Sequence, residues 1–203
     1  GARRGWCPAD PNTDMPLSDP APRQPIHTRQ ITIEAFERED GLIDLEATLV
    51  DAKPFVFRLS VDRPQLAAGE PIHRISLRLT VDADAVIRQT EVAMDATPYT
   101  YCSEVPLRFD LNGIRMGAGF MKAVRERIGP ADNCWHAQQM LPQMATALVQ
   151  ATFPANRERL QRLPEGERPT PPMLNTCVGW QSHRAHVRIE HPLHFTGPRA
   201  PTV

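Results

Sequence analysis

Apolar and polar residues alternate through much of the first half of the chain. Ile31, Ile33 and Ala35 alternate with Thr32, Glu34 and Phe36, and after Asp40-Gly41 a second run sets Ile43, Leu45, Ala47 and Leu49 against Asp44, Glu46 and Thr48. A period of two belongs to a strand with one buried face, and Asp-Gly between two such runs predicts a hairpin. Phe55, Phe57 and Leu59 predict a third, shorter strand after Pro54, and Gly69-Glu70-Pro71 marks a loop. Ile75, Leu77, Leu79 and Val81 then alternate with Arg74, Ser76, Arg78 and Thr80, and Asp82-Ala83-Asp84 turns the chain into another strand over Val86 to Met94. This half reads as an antiparallel sheet with one face that needs cover.

The spacing changes in the second half. Phe120, Met121, Val124 and Ile128 recur at helical intervals opposite Lys122, Arg125, Glu126 and Arg127, with Gly129-Pro130 as the stop. Asp132 or Asn133 is placed to cap a further helix with an apolar stripe of Met140, Leu141, Met144 and Leu148, kinked at Pro142. Residues 154–172 read as a charged, proline-rich surface excursion, and Val187 and Ile189 between His186, Arg188 and Glu190 as a last strand rejoining the sheet. The predicted fold is α+β: an antiparallel sheet of five or six strands with two or three helices packed on one face.

Composition localises the fold. The 203 residues include 21 prolines, about twice the usual share of roughly 5%, which excludes a long coiled coil. Pro8, Pro11, Pro16, Pro20, Pro22 and Pro25 mark residues 1–26 as an arm without enough apolar groups to fold alone. One domain is expected over 27–197, with a tail at 198–203. A net charge of -1 lacks the basic footprint of a nucleic-acid binder, and no run of residues is apolar enough to span a membrane. Cys7, Cys102, Cys134 and Cys177 lie far apart without a C-x-x-C pair, the pattern of reduced thiols and a cytoplasmic location. A homodimer with arm exchange is one use for residues 1–26.

Candidate chemistry centres on Asn133-Cys134-Trp135-His136, expected in the first turn of a helix, where the positive end of the dipole favours a thiolate. Three readings stand side by side. Cys134 is a buried apolar group and His136 an ordinary hydrogen-bonded residue; or His136 is an acid/base group in a pocket; or both are metal ligands, joined by Cys102, Cys177 and Asp95, with zinc as the default ion and an iron-sulfur cluster as the other. Asp95 and Tyr99, just after a strand, have the chemistry of a base and a phenolic donor, although Asp95 and Pro98 also suit a plain turn. His73 stands at the entrance of another strand. Lys53, Trp135 and Tyr101 are candidates for substrate contact, with Lys53 also expected to pair with Asp51. Gly113, Gly117 and Gly119 before a helix lack the Walker lysine and read as a tight turn. His183, His186, His191 and His194 would not converge in an extended chain.

Several of these segments together resemble a bacterial family of unknown function. The residues that carry the resemblance are Gly69-Glu70-Pro71-Ile72-His73, Leu77 to Asp82, Asp95-Ala96 with Pro98-Tyr99 and Cys102, Leu111 to Gly119, Cys134-x-His136 and Asn175-Thr176-Cys177. The chain departs from the family pattern at Trp135 and Ala137, so a pocket there has its own outline. The resemblance implies a setting near aromatic or acyl-CoA catabolism. The expected function is that of a cofactor-independent lyase acting on a phenolic small molecule, in which His136, Asp95, Tyr99 and His73 supply acid/base groups and formaldehyde is one leaving product. The alternative is a metal or iron-sulfur scaffold built on Cys102, Cys134, His136 and Cys177.

Overall fold

The alternating runs form four strands: β1 (Thr28–Glu37), β2 (Ile43–Ala52), β3 (Pro71–Val81) and β4 (Ile87–Ala96). They make one antiparallel sheet in the order β1-β2-β3-β4, each strand beside its neighbour in sequence. The computed structural model describes residues 18–129 and 132–197, so most of the proline-rich arm, Cys7, Pro130 and the tail at 198–203 lie outside the described residues. Residues 18–26 are exposed and carry no regular structure.

Register follows from the alternation. Leu45 pairs with Leu79, Ala47 with Leu77 and Leu49 with Ile75, which puts the apolar residues of β2 and β3 on one face. Those residues are buried together with Phe109, Leu111, Phe120, Val124, Ala137, Met140, Leu141, Met144 and Leu148, so the helices cover that face. The opposite face is polar: Arg78 bridges Glu46 and Glu91 on the neighbouring strands, and Thr48 hydrogen-bonds Ser76.

Among the described residues four helices follow the sheet: α1 (Val105–Arg108), α2 (Phe120–Arg127), α3 (Trp135–Gln161) and α4 (Ala185–Glu190). None of the described helices is long and apolar enough to cross a membrane. The turn before α2 is the tight one expected. Gly113 and Gly119 both adopt positive φ, conformations that glycine reaches without a Cβ clash. Between them Gly113 donates to the Ile87 carbonyl, Ile87 donates back to Ile114, and Met116 donates to Ala85, which pins this segment against the start of β4.

Two expected strands do not form. Phe57 meets Leu66 in a single bridge only, because Phe55 and Val56 stay exposed and Pro54 and Pro64 bound the segment. The stretch around Val187 is helical: Val187 is fully buried and Ile189 is exposed, so one apolar anchor is buried where a strand would have aligned both on one face. The sheet therefore has four strands, not five or six.

Further along, α3 continues through Pro142 and Pro154 to Gln161, so the first part of the expected excursion is helix. Each proline deprives the carbonyl four residues earlier of its donor. Thr146 and Thr152 hydroxyls donate to the carbonyls of Pro142 and Leu148 nearby. The helix is capped by Cys134, not by Asp132 or Asn133. Cys134 makes no side-chain cap bond and packs against the core, while the Asn133 amide donates to Gln138.

Candidate active site

On β2 the buried phase Leu45, Ala47, Leu49 does not end in an apolar residue. It continues into Asp51, whose side chain is only 2% exposed. An isolated carboxylate at such a depth would be costly, and it persists because three groups surround it. Register places Arg29 on one side and His73 on the other, in one row across β1, β2 and β3. Arg29 forms a two-pronged pair, Nε to Oδ1 and Nη2 to Oδ2, both at 2.7 Å. His27 Nε2 lies 3.2 Å from Oδ1 and His73 Nδ1 3.1 Å from Oδ2.

The first turn of α3 lies over the end of this row. Its Gln139 accepts a bond from Arg29 Nη1 at 2.9 Å, and its His136 ring packs on His73 with centroids 3.9 Å apart and planes inclined by 34°. Ala137 and Met140 are fully buried beside them, and this anchoring fixes the helix end that carries His136 and Gln139. The His136 ring makes no hydrogen bond to a described side chain or backbone group, although it is half-buried.

Burial by itself pushes the Asp51 carboxyl up, but first the Arg29 hydrogen bond and then the Arg29 charge outweigh it and hold the carboxyl below its ordinary value. An ionised carboxylate only accepts, so His73 carries its proton on Nδ1 toward Asp51 and keeps the Nε2 lone pair. Burial lowers His73 despite the opposing pull of Asp51. His136 is lowered too, first by burial and then by the charge of His73. Both imidazoles are thus biased toward the neutral form, their rings tilted against each other, and one of them is oriented by a buried carboxylate. Among the described residues the ligand atoms of Asp51, His73 and His136 all lie within 4.8 Å of one another.

The residues expected from sequence divide between two places. His73 and His136 come together here, with Asp51 and Arg29, which local sequence had not joined to them. Cys134 is half-buried at the start of α3, Cys102 is half-buried after β4 and Cys177 is exposed near the C-terminus; none belongs to the three-residue group. Lys53 does not pair with Asp51. β2 ends at Ala52, and the Lys53 ammonium lies over the Phe55 and Phe57 rings, 5.6 Å from each centroid. Trp135 is exposed on α3.

Asp95 and Tyr99 line a separate cavity of about 290 Å³, with Asp62, Arg63, Met94, Ala96, Thr97 and Thr100. Tyr101 stacks on Tyr99 with centroids 5.6 Å apart, 9° from parallel. Arg63 connects the cavity to the row of polar residues: its guanidinium donates to the Pro71 carbonyl, two residues before His73, and to the Thr97 carbonyl on the cavity wall. Both features therefore sit at one end of the sheet. The signal that could have found Asp51 is its phase, a charged residue that continues a buried alternation with no break.

A model of the family described as a protein of unknown function, DUF2889, matches residues 27–150. The chain belongs to the DUF2889 family. The matched span runs from His27 through the first half of α3, so His27, Arg29, Asp51, His73, His136 and Gln139 all lie inside this DUF2889 domain while Cys177 and the C-terminal histidines lie outside it. No curated protein and no solved structure matches the chain.

Proposed function

We propose that this DUF2889 protein is a small-molecule enzyme, a lyase that acts by acid/base chemistry on a phenolic compound. Asp51, His73 and His136 are its working groups, and the cavity at the end of β4, at the same end of the sheet but lined by none of the three, takes a part of the substrate remote from the reacting carbon. The observation that carries the reading is the bond from His73 Nδ1 to the buried Asp51, which leaves Nε2 of a neutral imidazole free beside a second imidazole. A carboxylate that fixes the tautomer and orientation of a histidine is the arrangement general base catalysis requires.

In the reaction, an imidazole passes the phenol proton to the ring carbon that bears a hydroxymethyl group, giving the dienone tautomer. An imidazole then takes the hydroxymethyl hydroxyl proton, the bond between that carbon and the ring breaks, formaldehyde leaves, and the electron pair passes through the ring to the dienone oxygen. The imidazolium returns its proton to the phenolate so formed, so the balance is one hydroxymethyl phenol to one phenol and one formaldehyde. Asp51 supports the transient imidazolium by charge. Tyr99 and Asp95 line that cavity, and Tyr101, stacked on Tyr99, adds a second flat aromatic face beside it. The test is formaldehyde release from hydroxymethyl phenols. His136→Ala should abolish turnover with an unchanged circular dichroism spectrum, and full activity in that variant would overturn the assignment.

A further inference from the structure

We propose that Asp51, His73 and His136 form a site for one divalent transition-metal ion of the zinc or cobalt class. The proposal rests on the reading that this cluster is the working centre of the chain, and it gives His73 and His136 the role of ligands in place of free bases. His73 Nδ1 and Asp51 Oδ2 are 3.1 Å apart. With metal-ligand bonds of about 2.1 Å, two donors on one ion stand about 3.0 Å apart at right angles and about 3.4 Å apart in a tetrahedron. The pair is therefore already spaced as one edge of a coordination shell.

An ion on that edge takes the place of the proton on Nδ1, which moves to Nε2, so an ion-bound His73 is the other neutral tautomer and no longer offers a free lone pair. His136 supplies the third donor from a different element. Its ring is half-buried, has no hydrogen-bond partner among the described residues, and has a ligand atom within 4.8 Å of both others. Two imidazoles and one carboxylate suit zinc, cobalt or iron(II) better than calcium or magnesium, which favour oxygen-only shells. Three protein donors also leave a position open, as in catalytic sites and unlike closed structural ones. Arg29 donates to both Asp51 oxygens, including Oδ2, and His27 lies at Oδ1, so the two fix the plane of the carboxylate, as outer partners of metal-binding carboxylates do.

The test is titration of the chelator-treated, untagged full chain with cobalt(II), followed by its visible absorption bands and by displacement with zinc. One ion per chain is expected, with binding at least 10-fold weaker in His136→Ala and in the more conservative His136→Gln, both checked for a native melting transition. Absence of saturable binding, or bands unchanged in both variants, would overturn the proposal. Formaldehyde release is measured on the same metal-free sample. Turnover without any ion binding overturns the metal site and leaves the acid/base reading standing. Stoichiometric binding that depends on His136, without turnover, supports the site and removes the lyase assignment.

Discussion

Asp51 holds the row of polar residues together, and its burial decides what replacing it costs. Asparagine keeps the shape but cannot offset the Arg29 charge, so Asp51→Asn should lower stability by about 2 kcal/mol near neutral pH, read by urea denaturation. The Asp51 carboxyl is held below its ordinary 3.8. Its contribution is therefore complete above that pH and is lost as pH falls through the lower folded value. The gap between wild type and Asp51→Asn should close only in that acid range. His73 shifts the other way. Burial, opposed by Asp51, holds it below 6.5, so the neutral form predominates at and above that pH, and turnover should decline with a midpoint below 6.5 as His73 protonates. A decline beginning well above pH 6.5 would contradict His73 as the base. Folding stability should also fall below pH 6.5, because the unfolded chain takes up that proton first. His73 and His136 were legible as chemistry-bearing side chains. Arg29 and Asp51 were not, because what joins them is a cross-strand pairing between residues 22 apart, which no local pattern contains.

Neighbouring residues of one strand show how strongly the two faces differ. Leu77 is 2% exposed and packed under the helices, whereas Arg78 points into solvent between two glutamates. Leu77→Ala should cost about 2–5 kcal/mol, and Arg78→Ala under about 1 kcal/mol, since exposed ion pairs contribute little. Comparable losses for the two in thermal melts would overturn the assignment of faces. The same alternation made all four strands readable from sequence. It misled at Phe55, Phe57 and Leu59, where the alternation is right but the segment pairs only through the single bridge between Phe57 and Leu66. At Val187 and Ile189 two apolar residues are too few to separate a strand from a short helix. Pro154 made the end of α3 look like a loop, yet a helix already anchored by Met140, Met144 and Leu148 tolerates the lost bond.

At the scale of the molecule, two central strands carry the core and two outer strands border it. Amide exchange should be slowest in β2 and β3 and faster in β1 and β4, because only the central pair is hydrogen-bonded on both sides. Uniform protection across the sheet would contradict this. The row Arg29, Asp51 and His73 crosses three of those strands and depends on both hairpin pairings at once. A chain that closed either hairpin one residue out would still be compact and rich in strand, yet it would turn Asp51 toward water and separate it from one of its partners. Ligand binding or turnover at this cluster therefore counts only molecules whose strands have paired correctly. In refolding experiments it would serve as a proofreader that spectroscopic measures of strand content cannot replace.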